Sequence, residues 1–191
     1  MTTVALTSHL MPPHPRSHPV RKVHTMQMSE PQFEERPEQS YVAITRRVSM
    51  GELGEKIPPL LGDVFGWLGK QGIAPSGPPF FRYDVINMPG DMVVAAGVPI
   101  AAPAVGEGEI EAGTIPAGRY VTAMHTGHPA ELESATGQLL AWADAHDVTW
   151  QRDIESDGEH WVARYEFYLD SPEDQPDMTK WRTELALLVA D

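Results

Sequence analysis

The sequence predicts an α+β domain built from two similar modules, each running strand, helix, strand, strand. Three observations predict it: an internal repeat, apolar residues at both strand and helix spacing, and an ordinary globular composition with 41% hydrophobic residues. The chain contains no cysteine, so its stability depends on a packed core rather than on disulfides. A length of 191 residues is enough for one domain with such a core, or for two small modules that share one.

The internal repeat is found when the sequence is shifted by 79 residues without gaps. Residues 41–68 then lie over residues 120–147, and six of the 28 positions are identical, more than composition alone predicts. The identities fall where a strand and an amphipathic helix need them: Tyr41-Val42 over Tyr120-Val121, Glu52-Leu53 over Glu131-Leu132, and Leu60-Leu61 over Leu139-Leu140.

The first module, at about residues 30–103, begins with a β-branched strand over 41–48. Leucines and other apolar residues over 53–68 then follow helical spacing, and Pro58-Pro59 predicts either a helix start or a kink there. Two further strands are expected over 80–87 and 92–100.

The second module, at about residues 109–190, follows a glycine- and glutamate-rich linker. A strand over 110–125 is interrupted by a turn at 116–118, and Pro129 suits the start of the next helix. Asp157-Gly158 predicts a hairpin turn, and a last strand follows a loop. The remaining strands are expected over 149–155, 161–169 and 181–189.

Charge is distributed unevenly along the chain. Residues 1–28 hold three of the 14 basic residues, none of the 27 acidic ones and four of the eight histidines, and they predict a disordered tail without a metal site. The folded domain, residues 29–191, keeps 11 basic against 27 acidic residues, a formal charge of −16. Such a body repels phosphate backbones, so we expect no nucleic-acid binding through it.

The sequence also favours a cytoplasmic location. No apolar run is long enough to span a bilayer, the first residues lack the apolar core of a secretory signal, and no membrane association is expected. No phosphate-binding loop, nucleophile elbow or zinc-protease motif occurs, and no cofactor is expected.

The strand around Glu166 carries the most informative polar residue. Because strand side chains alternate, Ala163, Tyr165 and Phe167 share a core face, while Arg164, Glu166 and Tyr168 share the other. The pattern alone fits an exposed ion pair worth under about 1 kcal/mol, or a binding site.

Several short motifs, in this order and spacing, resemble the GyrI-like small-molecule-binding domain, the effector-binding domain of bacterial multidrug-responsive regulators. The resemblance covers about residues 30–189, although the last strand lacks a proline common there. The motifs are GPPFFRY at 77–83, AGVPI at 96–100, IPAGRY at 115–120, HTGH at 125–128, YEFYL at 165–169 and the strand over 183–189.

The resemblance implies two pseudo-twofold related β-α-β-β modules that form an aromatic ligand groove, with helices packed on the sheet. It further implies that Glu166 anchors lipophilic cations there, with Tyr168 on the same face. A carboxylate among ring faces attracts a desolvated cation. Further lining candidates are Phe81, Tyr83, Trp142, Trp67 and Met124, each of which is also a reasonable core residue.

The leading hypothesis is a stand-alone protein that binds hydrophobic, cationic organic ligands, because residues 1–28 are too short and proline-rich for a helix-turn-helix. Two alternatives stay open. One is a hydrolase of strained electrophiles that uses Glu166 with Tyr83. The other is a topoisomerase-inhibitor-like protein that contacts a protein partner through its acidic surface.

Overall fold

The computed structural model describes residues 27–88 and 90–190. Eleven strands and three α-helices lie in this part of the chain, in an order that contains the expected modules. The elements of the first part are β1 Gln27–Met28, β2 Gln32–Arg36, β3 Gln39–Ser49, α1 Met50–Lys56, α2 Leu60–Gln71, β4 Phe80–Ile86 and β5 Asp91–Pro99. Those of the second part are β6 Glu111–Ile115, β7 Gly118–Thr126, α3 Leu132–Ala145, β8 Arg152–Glu155, β9 Gly158–Trp161, β10 Arg164–Tyr168 and β11 Arg182–Leu188.

The strands form one antiparallel sheet in the order β1-β7-β11-β10-β4-β5-β3-β6, with β2 also on β7 and the β8–β9 hairpin attached to β4. The sheet is curled. Only residues 37–38 separate β2 from β3, yet β2 pairs with β7 and β3 pairs with β6. The two ends of the sheet are therefore held together, and β10 and β4 meet where the second module joins the first.

The sheet has two buried faces. On the first, which we call the helix face, α2 and α3 pack their apolar residues, including Val64, Leu68 and Leu139, onto Phe81 and Leu185. The second, which we call the aromatic face, is filled by rings: Phe80 meets Tyr41 and Tyr165 edge-on, with centroids 5.3 and 5.2 Å apart. Offset, edge-to-face contacts of this kind are the favoured geometry of aromatic pairs.

The repeat is confirmed as a structural one at the helix starts. The Ser49 backbone N–H donates to Glu52 Oε2 at 3.1 Å, and the His128 N–H donates to Glu131 Oε2 at 3.1 Å. Both pairs are capping boxes, in which the acid three residues on binds the N-cap backbone. The glutamates at equivalent repeat positions thus begin equivalent turns.

Pro58 and Pro59 separate two helices, so the first of the two expectations, a helix start, is right. α1 ends at Lys56 and α2 begins at Leu60 with Pro59 as its N-cap. Gly72, in the left-handed region at φ 67°, ends α2.

Three expectations need correction. Gln27 and Met28 pair with β7, so the folded part reaches into the predicted tail, whose residues 1–26 lie outside the described residues. The strand β2 was not predicted. The strand expected over 161–169 is two strands, because Trp161 pairs with β8 while β10 pairs with β11 and β4. Within the described residues, no helix has both the length and the apolar character needed to cross a membrane.

Candidate ligand-binding site

Glu166 lies at the middle of the sheet, on β10. It stands opposite Phe81 of β4 and Leu185 of β11, and only 8% of the residue is exposed. Its side chain is on the helix face, between strands that belong to different modules. The position is set by the alternation of β10, whose intervening residues Tyr165 and Phe167 fill the aromatic face.

Two tyrosine hydroxyls hold the carboxylate. The Tyr83 hydroxyl donates to Glu166 Oε2 at 2.9 Å, and the Tyr168 hydroxyl donates to the same oxygen at 2.7 Å. The ring of Phe81 meets the ring of Tyr168 edge-on at 4.8 Å. We call Glu166, Tyr83, Tyr168 and Phe81 the Glu166 site.

Burial dominates the electrostatics of this site. It raises the pKa of Glu166 above the usual 4.5, and the two tyrosine hydrogen bonds and the positive charge of Arg164 oppose that shift. Burial, together with the negative charge of Glu166, raises the pKa of Tyr83 and of Tyr168 well above the usual 10. The tyrosines therefore remain hydrogen-bond donors across the physiological range.

Arg164 borders the site on the same strand face. Its guanidinium carbon lies 5.6 Å from the centre of the Tyr83 ring and 5.0 Å from that of Trp161. Burial lowers the pKa of Arg164, although an arginine stays charged at any working pH. Sequence reasoning named Arg164 only as the partner of an exposed ion pair, and it missed Trp161.

Only some of the predicted lining residues lie at the Glu166 site. Phe81, Tyr83 and Tyr168 contact Glu166 or one another. Trp67 and Trp142 are partly buried against the helix-face core, and Trp142 stacks on His146 at 4.1 Å. The indole N–H of Trp67 is buried without a hydrogen-bond partner among the described residues.

Met124 is not part of the Glu166 site. Leu185 stands opposite both Glu166 and Ala123, so Ala123 shares the helix face and its neighbour Met124 lies on the other face. The register between β7 and β11 decides this, and a single sequence does not reveal it.

The two histidines of the HTGH motif have different surroundings. His128 is an N-cap whose Nδ1 accepts a hydrogen bond from the Ala130 N–H at 3.1 Å. His125 is fully buried on β7, with Glu131 Oε2 3.5 Å from its Nε2, and burial lowers its pKa.

The expected groove is closed around the carboxylate. Glu166, Phe81 and Tyr83 are each less than a tenth exposed, whereas Tyr168 and Arg164 are partly exposed. These last two residues form the side of the site that faces solvent. Surface cavities of about 410 and 560 Å³ lie elsewhere, beside Phe33 and beside Arg36 respectively.

The domain thus combines a duplicated antiparallel sheet, two helices packed on one of its faces, and a buried carboxylate where the modules meet. The sequence profile of the GyrI-like small molecule binding domain matches residues 29–190. The chain therefore belongs to the GyrI-like small-molecule-binding family. No curated protein matches the chain by sequence.

Solved structures share this fold. The EcmrR C-terminal domain has a TM-score of 0.65 at 21% identity, over 85% of this chain and 98% of that one. A cryo-EM structure of the EcmrR–DNA complex in EcmrR-RPo also has a TM-score of 0.65 at 21% identity, over 90% of this chain. This chain spans only 60% of the length of that one. SAV2435 bound to tetraphenylphosphonium has a TM-score of 0.54 at 13% identity, over 85% and 94% of the two chains.

Proposed function

We propose that this protein binds hydrophobic organic cations at the Glu166 site. The observation that carries the proposal is a buried carboxylate with two tyrosine donors and, among the described residues, no Lys, Arg or His nitrogen within 4.0 Å. A buried charge that lacks a charged partner is costly, and a cationic ligand that contacts the carboxylate recovers part of that cost.

The aromatic neighbours suit the same ligand class. Tyr83, Tyr168 and Phe81 offer ring surface beside the carboxylate, and ring faces attract a desolvated cation by about 2 kcal/mol or more. The strongly acidic domain adds a long-range field that concentrates cations at its surface. The solved complex of SAV2435 with tetraphenylphosphonium supports this ligand class by analogy of fold.

Binding requires the closed site to open. The carboxylate and Tyr83 are buried, so a ligand of the size of tetraphenylphosphonium reaches them only when side chains or a helix of the helix face move. A closed ground state lowers the apparent affinity by the fraction of molecules that are open.

Calorimetric titration with tetraphenylphosphonium tests the proposal. We expect the Glu166→Gln variant to bind at least about tenfold more weakly, because the amide keeps the shape but not the charge. Glu173→Gln, on an exposed loop, removes the same charge far from the β10 strand and serves as the control. Equal affinity of wild type and Glu166→Gln would show that the carboxylate is not the anchor.

The same titration at several pH values adds a second criterion. Because the pKa of Glu166 is raised, the carboxylate takes up its proton at a higher pH than an ordinary one, and wild-type affinity should fall as the pH is lowered. The residual binding of Glu166→Gln should not show this dependence. A wild-type affinity that is flat with pH would contradict the assignment.

A further inference from the structure

Arg164 is a partly buried cation that the proposed function does not use. Its guanidinium rests on the rings of Tyr83 and Trp161, and among the described residues no carboxylate lies within 4.0 Å of it. Its neighbours on the sheet differ: Arg82 pairs with Asp84, and Arg152 pairs with Glu159. The arginine beside the Glu166 site thus has no carboxylate in direct contact, and Glu166 acts on it only at longer range.

The spacing along β10 places the charges of Arg164 and Glu166 close enough for one ligand to contact both. Arg164 and Glu166 are two residues apart on the same strand face, which separates their Cβ atoms by roughly 7 Å. They do not form an ion pair with each other, and Tyr83 contacts both, through its hydroxyl to the carboxylate and its ring to the guanidinium. A bound molecule that touches Glu166 from the partly exposed side therefore also lies beside Arg164.

A simple cation gains from one of these charges and is repelled by the other. A molecule with a cationic group and a carboxylate satisfies both, because a guanidinium presents a planar fork of donors that matches a carboxylate. The two rings hold the fork in place before the ligand arrives, which reduces the ordering cost of binding.

We infer that the preferred ligands of this site are zwitterionic aromatic molecules, whose cationic group meets Glu166 and whose carboxylate meets Arg164. This inference rests on the proposed function and narrows its ligand class. It assigns Arg164 as a specificity-determining residue that separates zwitterions from simple cations.

A matched pair of dyes tests the inference directly. Rhodamine 19 is a zwitterion with a free carboxylate, and rhodamine 6G is its ethyl ester, a simple cation with the same ring system. By fluorescence anisotropy at about 0.3 M salt, where the domain charge is screened, we expect wild type to bind rhodamine 19 about tenfold or more tightly than rhodamine 6G. Arg164→Gln should lose this preference, chiefly through weaker binding of the acid, and Arg164→Lys should keep part of it.

Arg152→Gln is the matched control, because Arg152 also lies over the Trp161 ring, at 4.8 Å, but has its own carboxylate partner. It should leave the acid-to-ester preference unchanged, and a thermal melt of each variant confirms folding. If Arg164→Gln does not fold, the preference of the wild type for rhodamine 19 over rhodamine 6G decides whether the inference holds.

The outcomes separate the two proposals. A wild type that binds the ester as tightly as the acid, or an Arg164→Gln variant that keeps the full preference, overturns the zwitterion inference while leaving cation binding intact. Dyes that bind equally well to Glu166→Gln, or that do not bind at all, overturn the proposed function and the inference together.

Discussion

At the residue scale, Glu166 combines a stability cost with its proposed binding role. The carboxylate is buried, and its two tyrosine hydrogen bonds compensate only in part, since its pKa stays raised. An ionised group kept in such surroundings weakens the folded state. Glutamine at this position keeps the shape without the charge, so it should relieve that cost and remove the proposed ligand anchor.

We predict that Glu166→Gln stabilises the protein at neutral pH, by on the order of 1 kcal/mol, or about 2–4 °C in melting temperature. A raised native pKa means that the folded state binds the proton more tightly than the unfolded chain does. The stabilising contribution of this group is therefore fully present below pH 4.5 and is lost as the pH rises through the native pKa.

Melting curves of the two proteins across pH 4 to 8 check this prediction. The advantage of glutamine should grow with pH, because only the wild type ionises a buried group on the way. The exposed Glu173→Gln control should show no such trend. An advantage that shrinks as the pH rises would mean that the native pKa of Glu166 is lowered rather than raised.

At the element scale, the two capping boxes give the glutamates at equivalent repeat positions the same structural role. In each module the acid binds the backbone N–H of the residue three positions earlier, where the chain leaves a strand and enters a helical turn. In the first module Lys56 adds a hydrogen bond to Glu52, and this bond is the main reason that the pKa of Glu52 falls to about 2. The second module has a cap without that lysine.

We predict that Glu131→Ala lowers the free energy of unfolding by on the order of 1 kcal/mol, because the His128 N–H and the turn before α3 lose their acceptor. Glu131→Gln should retain most of the stability, since the amide oxygen can accept the same bond. Chemical denaturation measures both.

The control for this prediction is Glu133→Ala, an exposed acid in the first turn of the same helix. It removes a similar charge near the helix start but no capping contact, so its cost should be a few tenths of a kcal/mol. If Glu131→Ala and Glu133→Ala cost the same, charge at the helix start would explain the effect and the cap would not.

At the scale of the whole molecule, the curl of the sheet and the acidic charge act together. β4 of the first module and β10 of the second pair at the seam, and this pairing brings Tyr83 to Glu166 from 83 positions away in sequence. Around the seam, the domain over residues 29–191 carries a formal charge of −16. A field of that sign favours the approach of cations and is screened by salt.

We predict that raising the salt concentration from about 0.02 to 0.3 M weakens wild-type binding of rhodamine 6G by about threefold to tenfold, because screening removes the long-range attraction. Rhodamine 19 has no net charge, so its affinity should change less. Anisotropy titrations at both salt concentrations provide the comparison. If both dyes respond equally, the attraction comes from local contacts rather than from the domain charge.

Much of the fold followed from local patterns. Alternation placed Glu166 and Tyr168 on one face of β10 and the aromatic residues on the other, and helical spacing located α2 and α3. The strand β2 was missed because Gln32–Arg36 is mostly exposed and polar, which gives no alternating apolar signal. The boundary between β9 and β10 was missed because nothing in the local sequence marks it. The two strands are distinguished only by their pairing partners.

By itself, the sequence determined the element types, the duplication and the residues that share a strand face, because periodicity and capping act over a few neighbouring residues. Only the tertiary structure decided that Glu166 is buried, that Tyr83 reaches it and that Met124 does not. Those facts depend on the register between strands far apart in the chain. The same register left Arg164 beside Tyr83 and Trp161 without a carboxylate, which gives the site its second charge.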